Sequence, residues 1–240
     1  MRADGRASDA LRPLVIELSP TRYAEGSAMV SMGDTQVLCT VSVEHIVPAW
    51  LKARGQGWLT AEYALLPRAT HTRTPRSHIQ GGRAHEIRRL IGRSLRRAVD
   101  LDLLGEITLT VDCDVLQADG GTRTAAINGG YMAVAQAIHR LAGEGVVPPG
   151  ALLPPVSAIS VGEVDGELLV DLAYAEDARA EMDLNVVMDA LGRFIEIQGT
   201  AEGAPIPRER LDALLDMASR GVQEVVRIQR KGLAWAGIKV

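Results

Sequence analysis

Aromatic residues are scarce in this chain, making up 3% of 240 residues, with Phe194 the single phenylalanine. A core for a chain of this length must then be filled by Val, Leu, Ile and Ala rather than by rings. Cysteine is scarcer still. Cys39 and Cys113 lie in the apolar segments TQVLCTVSV and ITLTVDCDVL, and neither has a second cysteine near it in sequence. That spacing gives a thiolate metal site little support. A disulfide between the two segments stays open, although two buried reduced thiols suit a cytosolic chain better. Long apolar runs are missing too: none approaches the ~20 residues that a bilayer span needs. The start, MRADGRASDALRP, is charged and lacks an apolar signal region. These absences predict no membrane partner and a cytoplasmic location.

What the chain does have is an uneven charge. The net charge is −4, yet residues 51–100 hold eleven Lys and Arg against Glu62, Glu86 and Asp100. That segment alone carries +8, which leaves −12 on the other 190 residues. A localised polyanion-binding surface on an acidic body would produce this asymmetry, and so would a solvated basic helix face.

Apolar runs and alternation predict strands near 13–18, 28–32, 35–43, 107–116, 156–161, 167–173 and 193–198. Asp165-Gly166 has the composition of a type I′ hairpin turn, and Gly192 separates LNVVMDA from RFIEIQG. Helical periodicity marks 84–99, 122–142 and 207–231. In the second of these, Ala126, Gly130, Ala133, Ala137 and Leu141 form a face narrow enough for close packing; the third opens at Pro207. Groups of strands with helices between them predict an α+β class with mixed sheets and packed helices. One domain over 1–240 is expected, with 143–155 (GEGVVPPGALLPP) as the candidate junction of two subdomains. Residues 66–83 are polar, basic and aperiodic, and read as a long loop.

Three segments could carry chemistry. In QADGGTRTAAINGG, residues 117–130, two adjacent glycines, a Thr and an Arg lead from a strand into a helix. Free amides at the helix start, the macrodipole, the Thr122 hydroxyl and the forked Arg123 guanidinium could together hold an oxyanion. A tight glycine turn with Thr122 as N-cap and a solvated Arg123 uses the same residues. In IQGGRAHEIRRL, residues 79–90, Arg83 follows another glycine pair and could add a second guanidinium if the two helix starts converge. In YAEDARAEMDLNVVM, residues 174–188, four acids cluster. Such carboxylates could bind Mg²⁺ through oxygen, or form an ordinary acidic surface turn. His71, His78 and His85 are seven residues apart in a polar region, which suits exposed imidazoles better than a metal cage.

Taken in order, six blocks resemble the ribonuclease PH family, which includes polynucleotide phosphorylase and the exosome ring subunits. They are RADGR…LRP at the start, AEGSAMVSMGDTQVLCTVSVE (24–44), GQGWLTAEYALLPRATHTR (55–73), GGRAHEIRRLIGRSLRRAVDL (81–101), DCDVLQADGGTRTAAI (112–127) and DLNVVMDALGRFIEIQGTAEG (183–203). The resemblance implies a pair of βαβ-containing subdomains. It implies a phosphate-dependent 3′-to-5′ exoribonuclease that trims tRNA precursors and releases nucleoside 5′-diphosphates, with nucleotide addition as the reverse reaction. By the same resemblance Arg83, Gly121, Thr122 and Arg123 bind inorganic phosphate, the co-substrate. Asp177 and Asp183 are the catalytic and metal-binding acids, for Mg²⁺ or Mn²⁺, and Arg68, Arg73 and Arg76 hold RNA. Expected partners are tRNA and other structured RNA 3′ ends, and further copies of the chain in a homo-hexamer of three dimers. A catalytically inactive RNA-binding ring subunit of the same fold is the alternative, against which the retention of Arg83, Arg123, Asp177 and Asp183 argues. A hydrolytic nuclease would not need a phosphate pocket. Two features depart from the family: Ala3 replaces its opening proline, and the stretch between Arg76 and Gly81 is shorter.

Overall fold

The computed structural model describes residues 2–76, 81–202 and 204–240. Strands β1 (Leu14–Leu18), β2 (Gly26–Met32), β3 (Thr35–Glu44), β4 (Trp58–Leu65) and β5 (Thr108–Gln117) form one sheet in the order β1-β2-β3-β5-β4. Its pairs are antiparallel except β4 with β5, which run parallel and are connected through α1 (Gly82–Leu95) and the short α2 (Leu101–Leu104). Sequence periodicity misses β4. It buries Leu59, Ala61 and Tyr63 on alternate positions, but an Ala and a Tyr among Thr and Glu give only a faint apolar alternation.

The second sheet contains β6 (Val156–Val164), β7 (Glu167–Val170), β8 (Met182–Asp189) and β9 (Phe194–Ala201) in the order β7-β6-β8-β9. All its pairs are antiparallel, so parallel pairing is confined to the first sheet. β7 and β8 flank β6 in a common direction with α4 (Tyr174–Asp177) between them, a split βαβ arrangement. The β6–β7 turn has Asp165 at φ 51° and Gly166 at φ 77°, as a type I′ hairpin requires, and Gly192 at φ 81° serves the β8–β9 hairpin. The expected strand 167–173 ends early, at Val170. Asp171 has φ 54° and bends the chain away, although its amide still donates to the Ser160 carbonyl of β6 at 2.7 Å; its fully buried carboxylate pairs with Arg12.

Helix α3 (Thr122–Gly143) ties the sheets together. It is buried on nearly every side from Thr124 to Leu141, the pattern of a helix enclosed by the rest of the fold. Gly129 and Gly130 permit that depth. A Cβ on Gly129 would lie 2.6 Å from Val30 of β2, and one on Gly130 would lie 2.7 Å from Leu95 of α1. On the other side, buried Asn128 donates to the Ala158 carbonyl at 3.0 Å and accepts from the Ala158 amide at 2.8 Å. Buried Gln229 of α5 (Arg208–Trp235) accepts from Ser157 at 2.5 Å and donates to Val156. The two amides satisfy the stretch of β6 that β7 does not cover, as buried backbone requires. One apolar core, dominated by Val, Leu, Ile and Ala, runs through both sheets.

Residues 144–155, between α3 and β6, are fastened to the body. The Asp100 amide donates to Ala151 at 2.9 Å, and the Leu153 amide donates to Ala98 at 2.9 Å. Cys39 and Cys113 are cross-strand neighbours on β3 and β5, both buried and both free thiols. The hydrogen bond with Cys39, and then burial, push the Cys113 thiol well above its ordinary range. No helix among the described residues is long and apolar enough to cross a membrane.

Candidate active site

The glycine pair after β5 takes the form its sequence requires. Gly120 and Gly121 have φ 74° and 66°, a region costly for other L-residues. A Cβ on Gly120 would lie 2.6 Å from the Leu172 carbonyl oxygen. The loop thus presses directly on the segment that leads from β7 to α4. Gly121 is the N-cap of α3 and no side chain caps the helix, so the amides of its first turn keep their outward hydrogen-bonding capacity. Thr122 is not the N-cap; its hydroxyl lies 2.8 Å from the Tyr63 hydroxyl on β4.

Around this helix start is a cavity of about 520 Å³. Arg83, Gly121, Thr122, Arg123, Asp177 and Asp183 all line it, so residues from α1, α3, α4 and β8 converge. Arg83 is at the first turn of α1 and has no carboxylate partner among the described residues. Arg123 is braced: it donates to Glu86 at 3.1 Å and to Gln198 at 3.3 Å, while Gln198 donates to the other Glu86 oxygen at 2.7 Å.

The electrostatics follow from this proximity. Burial raises the Asp183 carboxyl, and the neighbouring Asp177 raises it further against Arg123 and Arg83. Burial also raises Asp177, opposed by Arg83, Arg123 and Arg12. Burial raises the Tyr63 phenol as well, opposed by its bond to Thr122 and by the same two arginines. Two carboxylates facing two guanidiniums across a pocket form a polar site with room for an anion beside a cation. No group of three or more His, Cys, Asp or Glu among the described residues is arranged to hold a metal. Asp177 and Asp183 suit a metal completed by water and substrate oxygens, the usual way Mg²⁺ is held near phosphates.

The loop arginines lie elsewhere. Arg68, Arg73 and Arg76 are exposed and do not line the cavity, whereas Thr70, His71 and Thr72 from the same loop do. The shortened stretch and His78 lie outside the described residues. Part of the basic excess of 51–100 is neutralised locally. Arg88 pairs with Glu62 at 2.8 Å, Arg93 pairs with Glu196, and Arg96 stacks 4.5 Å from the Trp58 ring centroid.

Sequence reading missed Tyr63, Ser160, Tyr174 and Asn185 in the cavity wall, and the Glu86–Gln198 brace. Asn185 had a usable signal. It lies two positions after Asp183 on β8, hence on the same face. It is buried and makes no side-chain hydrogen bond among the described residues. The brace unites residues far apart in the chain and left no local pattern.

Comparison with known proteins places the chain in a family. Residues 10–138 match the description "3′ exoribonuclease family, domain 1" and residues 154–221 match "domain 2" of the same family. The chain is 54% identical over 237 residues to ribonuclease PH of Corynebacterium kroppenstedtii, covering 98% of this chain and 93% of that one. It is 52% identical over 236 residues to ribonuclease PH of Moorella thermoacetica, covering 97% and 94%. Among solved structures it is similar in fold to Rrp46 of rice, Oryza sativa (TM-score 0.78, 23% identity, 97% of this chain and 100% of that one). The Archaeoglobus fulgidus exosome with RNA bound to the active site is also similar (TM-score 0.79, 24% identity, 93% and 91%).

Proposed function

We infer the reaction from one premise: this chain belongs to the 3′ exoribonuclease family. It is a phosphorolytic 3′-to-5′ exoribonuclease of the ribonuclease PH type, and its substrates are the 3′ ends of tRNA precursors and other structured RNA in the cytoplasm. The observation that carries this reading is the convergence of Arg83, Thr122 and Arg123 with Asp177 and Asp183 in one cavity.

In this reading Arg83, Arg123, the Gly121–Thr122 backbone and the Thr122 hydroxyl hold orthophosphate and fix the direction of its attacking oxygen. That oxygen bonds to the phosphorus of the terminal linkage as the bond to the preceding 3′ oxygen breaks. The products are a nucleoside 5′-diphosphate and an RNA one residue shorter. Asp183 faces the cavity beside the phosphate cradle and can hand a proton to the departing 3′ oxygen. One phosphoryl linkage replaces another, so nucleotide addition is the reverse reaction. A divalent cation held by Asp177 and Asp183, Mg²⁺ or Mn²⁺, would neutralise charge accumulating on the phosphoryl oxygens. Arg68, Arg73 and Arg76 contact RNA further from the cleaved bond, and six copies form a ring of three dimers.

The test is trimming of a tRNA carrying a few extra 3′ nucleotides, with and without orthophosphate. Shortening that requires orthophosphate supports the reading. Binding without turnover would make the chain an inactive ring subunit, and trimming indifferent to orthophosphate would make it a hydrolase.

A further inference from the structure

The opening RADGR…LRP has no part in the chemistry above, yet its arginines are among the most buried charges in the molecule. The Arg2 side chain is 2% exposed. It grips Glu176 through two bonds of 2.8 and 2.7 Å and donates to the carbonyls of Val170 at 2.9 Å and Asp171 at 3.0 Å. Glu176 accepts in addition from the Ala173 amide at 2.9 Å. Arg12 holds the other side of the same turn. Its backbone amide reaches Asp171 at 2.7 Å, and its guanidinium reaches both Asp171 oxygens at 3.1 and 2.7 Å. The same guanidinium donates to the Asp119 carbonyl at 2.5 Å, and Thr35 donates to the Gly120 carbonyl at 2.6 Å.

Arg12 therefore bridges the two halves of the cavity. On one side is the loop Asp119–Gly121, which starts α3. On the other is Asp171, in a left-handed conformation six residues before Asp177. Buried ion pairs of this kind add little net stability relative to apolar packing, and their documented use is to fix one arrangement. An arginine is suited to that task because its planar fork sets direction as well as charge.

We propose that Arg12 and Asp171, backed by Arg2 and Glu176, are positioning residues that lock the phosphate-holding loop to the acid-bearing segment and so set the phosphate site. The proposal rests on the phosphorolytic reading for its purpose, but orthophosphate binding tests it without turnover.

Arg6 also approaches this cluster, 3.7 Å from the Asp171 carboxylate and 3.6 Å from Glu176, but the close bonds to the Asp171 carboxylate are those of Arg12. Removing Arg12 alone would leave the buried carboxylate poorly matched, so the variant of choice is the neutral pair Arg12→Gln with Asp171→Asn. Asparagine tolerates the left-handed backbone at that position. Titration calorimetry with orthophosphate should show affinity weaker by on the order of tenfold, with phosphate KM raised to match and RNA affinity kept within about twofold. A folded double variant with wild-type phosphate affinity overturns the proposal, as does an equal loss of RNA affinity, which marks general damage. If the double variant does not fold, Arg2→Lys decides by the same criteria. It keeps the charge and loses the fork, so phosphate affinity should fall in a variant that still folds, with RNA affinity kept; unchanged phosphate affinity rejects the clamp. Wild-type protein that trims RNA regardless of phosphate would sink the phosphorolytic reading, and calorimetry would still decide the clamp.

Discussion

The cradle before α3 and the loop that carries Arg68, Arg73 and Arg76 are both polar and rich in arginine, but they are built differently. Apart from Arg83, the groups of the cradle are braced. Arg123 is held by Glu86 and Gln198, Thr122 by Tyr63, and the loop backbone by Arg12 and Thr35. The loop arginines are exposed, and none has a carboxylate partner among the described residues. The contrast fits the roles proposed for the two regions. An attacking oxygen needs a fixed position, because misplacement by an ångström is costly to rate. An RNA backbone can be held by mobile charges that release counterions.

Substitutions in the two regions should therefore fail in different ways, and the largest effect belongs to the acids. Asp183→Asn should lower single-turnover cleavage by roughly 10²- to 10⁴-fold, with RNA affinity unchanged in a parallel binding assay. Asp177→Asn should be milder and partly rescued by raised Mg²⁺. An Asp183→Asn protein that cleaves at the wild-type rate would place the chemistry elsewhere.

Next comes the cradle itself. Arg123→Ala should reduce turnover at limiting phosphate by about 10²-fold, with little change in RNA affinity. Arg83→Ala should act in the same direction. Wild-type dependence on phosphate concentration in either variant would remove that arginine from the phosphate site.

The exposed loop should show the opposite signature. Replacing Arg68, Arg73 and Arg76 with Ala together should weaken RNA binding and flatten the slope of log affinity against log salt by about 2, at about 0.7 per lost single-strand contact. Phosphate affinity should not move. An unchanged slope would take this loop out of the RNA surface and erase the contrast.

The smallest effect lies away from both regions, on β5. Burial raises the Asp112 carboxyl, with Asp114 and Glu62 adding to it. The folded protein thus binds that proton more tightly than the unfolded chain, and stability from this residue is present at low pH and lost as pH rises through the folded pKa. Asp112→Asn should raise the melting temperature slightly at pH 7, and the gain should vanish near pH 3, where both chains are neutral there. A gain independent of pH would refute this account.

Much of this was legible in the sequence, for physical reasons that differ by residue. The three long helices declared themselves through periodicity, and the Gly120–Arg123 run through a local recipe for anion binding, whereas the four-residue helices α2 and α4 are too short to show a period. Arg83 and Asp183 were legible as individual residues, but their meeting with Arg123 in one cavity depends on α3 docking against both sheets. Strand β4 was hidden because its buried positions are Leu, Ala and Tyr among polar neighbours, and with it went Tyr63. The Arg12–Asp171 pair spans 159 positions; no window along the chain could have joined them.

The central claim is that orthophosphate, not water, attacks the terminal linkage. It is tested most directly by trimming a 3′-extended tRNA in the presence of ³²P-orthophosphate and separating the nucleotides released. All of the label in the products should appear as the β-phosphate of nucleoside diphosphates, in a yield equal to the nucleotides removed. Unlabelled nucleoside monophosphates, formed at a rate that added phosphate does not change, would contradict it.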